Sequence, residues 1–233
     1  IYTDTNGQPL YQKLRMLTVN ADGTRKRYKS KSGKMVDAPK FIYRYENNGE
    51  WYYGKGGCVD HFLYNAQELV SAETVYICEG EKDANNLNEG LKQLGLFGKR
   101  VATSTHDGAN GNWAPTYTHQ LSGKTIVIFP DSDEVGVAHA KKISDILLQH
   151  CNVKIVPLPN TKKGYDVSDY LAEYSTKELL QSVRKVKSNK LTVSGDKYLS
   201  DVLTSFDQLP QYTNLIANTG IGKSTATMEL LKS

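Results

Sequence analysis

Short apolar runs alternate with amphipathic stretches between residues 74 and 186. A continuous apolar run of four to six residues is typical of a strand buried on both faces, and apolar residues spaced three or four apart are typical of a helix with one buried face. The pattern predicts strands at 74–79, 100–104, 124–129 and 153–158, and helices at 82–95, 134–149, 167–173 and 176–186. Strands that alternate with helices indicate an α/β fold with a parallel sheet and helices on both faces.

Residues 1–70 differ from this pattern and predict a small antiparallel β-rich subdomain. A strand at 10–19, a turn at 20–23 and a return at 24–29 would form one hairpin, and 41–45 with 50–53 a second. This region is rich in aromatic residues, among them Tyr43, Tyr45, Trp51, Tyr52 and Tyr53. They could form the core of the small sheet, which is the preferred interpretation for each ring taken alone, or a surface on which nucleic-acid bases stack.

Acidic residues follow two of the predicted parallel strands. Glu79 ends the strand at 74–79, and Asp131 and Asp133 follow the strand at 124–129. Carboxyl ends of parallel strands meet in one crevice, so we expect these acids to lie together. Carboxylates gathered in this way repel one another unless a cation lies among them, and Mg²⁺ or Mn²⁺ is the expected ion.

These residues resemble the Toprim domain of primases, topoisomerases and related nucleases. The resemblance rests on Glu79 with Asp83, on Asp131 with Asp133, and on the run KKGYDVSDYL at 162–171. It covers about residues 70–175 and is nearest to the Toprim primases of phages and mobile elements, which carry a helicase on the same polypeptide. Among such proteins Glu79 would act as general acid/base or share a metal, and Asp131 and Asp133 would be metal ligands. The resemblance makes Asp83, Asp166 and Asp169 supporting acids.

Each acid has a plainer interpretation. Asp83 suits the first turn of a helix on dipole grounds, Asp131 or Ser132 could cap the helix at 134–149, and Asp166 or Ser168 could cap the next one. Capping does not explain why a glutamate at one strand end faces an Asp-x-Asp at another. The acids taken together therefore favour a metal site.

The C-terminal part changes in character. Residues 71–186 form the predicted catalytic domain, 187–212 a linker with a short helix, and 213–233 the start of a further domain. Residues 217–224 have the phosphate-binding P-loop pattern with Ala217 in place of the first glycine. ATP would contact Gly220, Gly222, Lys223 and Ser224. This stretch resembles the start of the helicase or ATPase domain that follows Toprim in such proteins.

Positive charge is concentrated near the N-terminus. Residues 12–34 contain eight Lys or Arg and one acid, so this segment carries +7 whereas the whole chain carries +4. A basic segment beside an acidic crevice suits an enzyme that handles nucleic acid, because it holds phosphates while the carboxylates hold the metal. The residues expected to bind nucleic acid or triphosphate are Lys13, Arg15, Arg25, Arg27 and Lys29.

Composition sets wider limits. No apolar run is long enough to cross a bilayer, and the three cysteines have no metal-binding or disulfide spacing, which fits a reducing cytoplasm. The chain begins at Ile1 without an initiator methionine, and we expect it to be part of a longer protein.

The combined expectation is a DNA primase that makes short primers from nucleoside triphosphates on a single-stranded DNA template and works with a helicase domain on the same chain. Two alternatives remain open at this stage. One is a Toprim nuclease or topoisomerase that cleaves phosphodiesters, and the other is a non-catalytic nucleic-acid-binding module that serves the helicase.

Overall fold

The computed structural model describes residues 1–30, 32–57, 62–106 and 111–186. The predicted linker at 187–212 and the P-loop residues Gly220, Gly222, Lys223 and Ser224 lie outside the described residues. In the described part, no helix is long and apolar enough to span a membrane.

The N-terminal part is an antiparallel sheet with an attached two-stranded ribbon. Its six strands are β1 (Tyr2–Thr3), β2 (Pro9–Arg15), β3 (Arg27–Lys29), β4 (Met35–Asp37), β5 (Phe41–Asn47) and β6 (Glu50–Tyr53). The main sheet has the order β1-β2-β5-β6, and β3 pairs with β4 to form the ribbon. The β5–β6 hairpin confirms the predicted pair. The predicted hairpin between 10–19 and 24–29 is confirmed only at its turn, where Val19 bridges Arg25 in antiparallel fashion, because β2 pairs with β1 and β5 and not with the returning segment.

The remainder is a parallel α/β unit. Its four strands are β7 (Thr74–Ile77), β8 (Arg100–Thr103), β9 (Thr125–Ile128) and β10 (Asn152–Ile155). The described helices are α1 (Ala66–Leu69), α2 (Glu81–Gln93), α3 (Pro115–Leu121), α4 (Glu134–Leu147), α5 (Val167–Glu173) and α6 (Thr176–Lys185). The sheet has the order β10-β9-β7-β8 with every pair parallel, which confirms the α/β prediction.

Helices cover both faces of this sheet because alternate strand residues point to opposite sides. Val75 and Ile77 of β7 share one apolar cluster with residues of α3 and α4. Tyr76 and Cys78 share the other cluster with residues of α2, α5 and α6. Since α2 follows β7 and α4 follows β9, the chain leaves these two neighbouring strands toward opposite faces. Such a divergence opens a crevice at the carboxyl ends of the two strands.

Two helices were not predicted. The four-residue α1 is too short to show a helical period, and α3 has only Tyr117 and Leu121 as large buried apolar residues. Pro115 occupies the first turn of α3, where its missing N–H costs nothing. Leu94, expected in the apolar stripe of α2, is 42% exposed because it lies beyond the last helical residue, at the C-cap.

The antiparallel sheet is attached to the start of α2 by buried polar groups. The Tyr2 hydroxyl donates to Glu81 Oε1 at 2.7 Å, and Lys13 Nζ donates to the same oxygen at 2.6 Å. Lys13 also donates to the His106 carbonyl at 2.6 Å, and the Tyr2 ring stacks on Tyr11 at 4.8 Å. Charge and ring stacking therefore position the two parts of the chain relative to each other.

The buried face of α2 can be tested with a matched pair of leucines. Leu91 is fully buried and Leu94 is 42% exposed. We expect Leu91→Ala to lower the free energy of unfolding by about 2–5 kcal/mol, because it leaves a cavity. The control Leu94→Ala should change it by less than about 0.5 kcal/mol. Denaturant titration followed by circular dichroism measures both, and equal effects would contradict the packing described here.

Candidate active site

Two carboxylates from neighbouring strands meet in the crevice between β7 and β9. Ile77 lies opposite Ile128 in the parallel register, so Glu79 and Asp131 follow adjacent strand ends. Each side chain alters the pKa of the other, and burial is the largest influence on both. This juxtaposition is the one expected from the two acidic strand ends.

Two neighbouring buried carboxyl groups repel each other when both are ionised, which favours retention of a proton by the pair. Burial and the neighbouring Glu79 carboxylate raise the pKa of Asp131 to about 8. Burial also raises the pKa of Glu79, although its side-chain interaction with Asp131 acts in the opposite direction. The pair therefore holds one proton near neutral pH, and a cation that bound both oxygens would displace it.

Asp133 has a structural role in addition to any ligand role. Its Oδ1 accepts from the Gly136 amide at 2.8 Å and caps the N-terminus of α4. The sequence had suggested Asp131 or Ser132 as the cap, which is wrong by one or two residues. The first turn of α4 also lies close to Asp131, since a Cβ at position 136 would be 2.7 Å from the Asp131 carbonyl oxygen. Glycine at 136 therefore permits this approach.

The third acidic stretch is held against α2 by Asp83. Asp83 Oδ1 accepts hydrogen bonds from the backbone amide and the hydroxyl of Ser168 in the first turn of α5. Asn86 on α2 donates to the same hydroxyl at 2.9 Å. Burial raises the pKa of Asp83, and the bonds from Ser168 oppose that shift. Asp83 thus contributes to positioning α5 relative to α2.

Asp166 and Asp169 form the N-terminal capping box of α5. Asp166 Oδ1 accepts from the Asp169 amide at 2.7 Å, which confirms that Asp166 caps this helix. Asp166 also lies near the crevice, because its charge, with those of Asp83 and Asp133, raises the pKa of Glu79. Five of the six predicted acids therefore influence one another electrostatically, and the sixth, Asp169, completes the capping box of α5.

The chemical type of the donor atoms in this cluster suits a divalent cation, because carboxylate oxygens are the ligands that Mg²⁺ and Mn²⁺ prefer. Within the described ranges, no three His, Cys, Asp or Glu side chains are placed to ligate one ion together. Mg²⁺ commonly binds one or two carboxylates and completes its coordination with water and substrate phosphates. Glu79 and Asp131 would hold such an ion, with substrate supplying further ligands.

A groove of about 590 Å³ lies beside the acids, between the antiparallel sheet and the start of α2. Its acidic wall includes Asp83 and Asp166, which also belong to the acid cluster. Its basic lining comprises Lys13, Arg15, Lys40 and Lys82. Lys40 was not predicted, because it joins Arg15 only through the long-range pairing of β2 with β5. The groove thus brings cations of the antiparallel sheet and Lys82 of α2 close to the acids, as binding of a triphosphate requires.

The five predicted phosphate-binding residues have different surroundings. Lys13 is held by Glu81 and the His106 carbonyl, and its side chain is only 12% exposed. Arg15 lines the groove. Arg25 and Arg27 lie on the ribbon side of the subdomain and pair with Asp37 at 2.8 and 3.3 Å. Lys29, also on the ribbon, is exposed.

Comparisons with known proteins find remote likenesses among solved structures. No protein-family model and no curated protein matches the sequence. The primase fragment of the bacteriophage T7 primase-helicase protein matches with a TM-score of 0.45 and 17% identity over 78% of this chain. The chain spans 60% of the length of that fragment.

A second similar structure contains bacteriophage T7 lagging-strand DNA polymerase interacting with primase domains of two subunits bound to an RNA/DNA hybrid and dTTP. It matches with a TM-score of 0.42 and 15% identity, over 76% of this chain and 79% of that one. At such low similarity, these two structures do not assign roles to residues of this chain.

The shared proton makes stability depend on pH. The folded pKa of Asp131, about 8, lies above its ordinary value of 3.8, so the folded state retains a proton that the unfolded chain has released between those values. The contribution of Asp131 to stability therefore falls as pH rises through that window. We expect the melting temperature of the wild type to fall relative to that of Asp131→Asn between about pH 5 and about pH 8. Added Mn²⁺ should raise the melting temperature of the wild type alone at the higher pH. Parallel melting curves for the two proteins would contradict the shared proton.

The contribution of the partly buried ion pair between Lys13 and Glu81 can be compared with that of an exposed ion pair. We expect Lys13→Met and Glu81→Gln each to lower the free energy of unfolding by about 1–3 kcal/mol, with the double variant less destabilised than the sum. The exposed pair of Arg25 with Asp37 is the control, and its coupling should be about 0–1 kcal/mol. Double-mutant cycles from denaturant titrations measure both couplings. A Lys13–Glu81 coupling no larger than the control would show that this pair does not hold the two parts together.

Proposed function

We propose that this chain carries the catalytic region of a DNA primase, a metal-dependent nucleotidyltransferase that makes short primers on single-stranded DNA. The observation that carries the proposal is the shared crevice of Glu79 and Asp131, with a groove beside it that is lined by basic side chains. The carboxylates suit a divalent metal ion, and the lysine and arginine side chains of the groove suit phosphates. The Toprim resemblance of the acidic motifs supports the same reaction.

The reaction joins the 3′-hydroxyl of one nucleotide to the α-phosphate of the next and releases pyrophosphate. Glu79 and Asp131 would hold the divalent cation, which supplies charge neutralisation at the phosphates and lowers the pKa of the attacking hydroxyl. When the pair is deprotonated, Glu79 is the group available to accept the proton of that hydroxyl. Asp133 and Asp166 add negative charge around the pair and fix the helices on either side of the crevice.

The groove would hold the triphosphate and the template strand. Arg15, Lys40 and Lys82 are the side chains that would contact phosphate oxygens. Lys13 would act indirectly, because it is bound to Glu81 and holds the sheet that contributes to the basic lining. Asp83 would maintain the position of α5, and thus of Asp166, at the edge of the groove.

Wider features of the proposal follow from the sequence. A helicase domain would continue from the P-loop stretch, where Lys223 and Ser224 would contact ATP. Nucleoside triphosphates and single-stranded DNA would be the substrates, Mg²⁺ or Mn²⁺ the cofactor, and the cytoplasm the location.

The decisive test compares an acid in the crevice, after the end of β9, with an acid outside the crevice, before the start of β7. Asp131→Asn removes one carboxylate of the crevice, and Glu73→Gln removes an exposed one beside the start of β7. With single-stranded DNA, Mn²⁺ and labelled triphosphates, we expect Asp131→Asn to lower primer synthesis at least about a hundredfold with DNA affinity little changed. Glu73→Gln should retain full synthesis.

The products distinguish the alternatives. Short labelled RNA that disappears in Asp131→Asn supports the primase assignment. Cleaved DNA would instead indicate a nuclease, and binding without products a non-catalytic module. Primer synthesis that survives in Asp131→Asn would refute the assigned role of the crevice.

A further inference from the structure

The antiparallel sheet has two faces with different surroundings. Residues directly opposite each other across strands share a face, and here Gln12 lies opposite Arg44, which lies opposite Tyr53. Trp51 lies two residues before Tyr53 and therefore points the same way. The other face carries Tyr11 and Tyr43, which pack toward His106. The outer face, defined here by Gln12, Arg44, Trp51 and Tyr53, points away from the α/β unit.

The outer face presents aromatic rings to solvent. Trp51 is 46% exposed and Tyr53 is 84% exposed, so the described part of the chain leaves both open. The interpretation of these two rings as sheet core is therefore wrong. β6 is the edge strand, with no further strand beyond it in the described sheet. Two large exposed rings that are neighbours on one sheet face form a patch, and exposed apolar patches mark interaction sites more often than single exposed residues do.

Arg44 lies over one of these rings. Its guanidinium carbon lies 4.2 Å from the centre of the Trp51 ring, and its Nε donates to Gln12 Oε1 at 2.8 Å. The hydrogen bond and the cation–π contact restrain the guanidinium beside the indole. The face thus offers a cation and a ring side by side, and these are the two groups that contact a phosphate and an unpaired base.

Charge indicates the class of occupant. Residues 1–57 contain eleven Lys or Arg and five acids, whereas the whole chain has a net charge of only +4. One acid, Glu46, lies opposite Trp51 at the rim of the outer face. Half-buried Leu14 and Ile42 also lie on this face, which makes a protein segment the competing occupant. The excess of cations in the same subdomain favours a polyanion over such a segment.

We propose that the outer face of the antiparallel sheet binds single-stranded nucleic acid, with unpaired bases stacked on Trp51 and Tyr53 and the backbone near Arg44. The two rings are separated by roughly 7 Å along β6, because they are two residues apart in a strand. That spacing suits successive bases of an extended strand. The choice of nucleic acid as occupant rests on the proposed function, and the site is distinct from the acidic crevice and its groove.

The test measures binding without chemistry. A labelled oligo-dT and a labelled oligo-U are titrated with the full chain in EDTA, without triphosphates, and anisotropy gives the dissociation constants. We expect Trp51→Ala and Tyr53→Ala each to weaken binding of the single strands by about five- to 150-fold, the effect typical of losing one base stack. Trp51→Phe, which keeps a ring, should restore most of the affinity. Tyr174→Ala is the control, because Tyr174 is also 46% exposed but lies after α5.

A second measurement reports contact with the ring itself. The chain has two tryptophans, Trp51 and Trp113, so Trp51→Phe leaves Trp113 as the only one. Oligo-dT should quench tryptophan fluorescence in the wild type and leave that of Trp51→Phe unchanged. Comparing oligo-dT with oligo-U shows whether DNA or RNA is the preferred strand.

The outcomes are separable from those of the primase assay. Equal binding by Trp51→Ala and the wild type, equal loss in Tyr174→Ala, or equally tight binding of a blunt duplex would each overturn the inference. A change of oligomeric state in Trp51→Ala without loss of nucleic-acid affinity would assign the face to protein contact instead. Failure of primer synthesis alone would count against the crevice and leave this surface standing.

Discussion

The site depends on negative charge that the protein does not neutralise by itself. Glu81 lies two residues beyond Glu79, yet Lys13 neutralises it across the boundary between the two parts of the chain. No ion pair joins Glu79 or Asp131 to a lysine or arginine in the described part of the chain. Burying carboxylates without cations is costly, and a shared proton is the way the apo protein lowers that cost. The acids left without a cationic partner mark where a metal ion would bind.

The surrounding structure holds these repelling groups in place by using the same acids as helix caps. Asp133 and Asp166 each satisfy amides at the start of a helix, and Asp83 binds the first turn of α5 through Ser168. Positive helix N-termini thus offset part of the repulsion. Capping does not exclude ligand binding at these residues. One carboxylate has two oxygens, so a cap on one oxygen leaves the other available.

The crevice could be predicted from the sequence because parallel strands that end in carboxylates bring them to one edge, whatever the order of the strands. The ion pair of Lys13 with Glu81 could not be predicted, because it joins residues 68 positions apart and local periodicity carries no information about such distant contacts. The pairing of β2 with β5 was missed for a similar reason, because the turn at 20–23 signals a local hairpin. The α3 helix was missed because its sequence shows too little helical period.

The two faces of the antiparallel sheet account for its unusual aromatic content. On the inner face Tyr2, Tyr11 and Tyr43 surround His106, and these rings bury the contact with the α/β unit. Once that contact is made, the opposite face must remain exposed to solvent or to a ligand, because alternate residues of a strand cannot point the same way. Tyr2, Tyr11 and Tyr43 therefore have a packing role that Trp51 and Tyr53 lack. Trp51 and Tyr53 need a different explanation, and base stacking accounts for both their exposure and the arginine held against the indole.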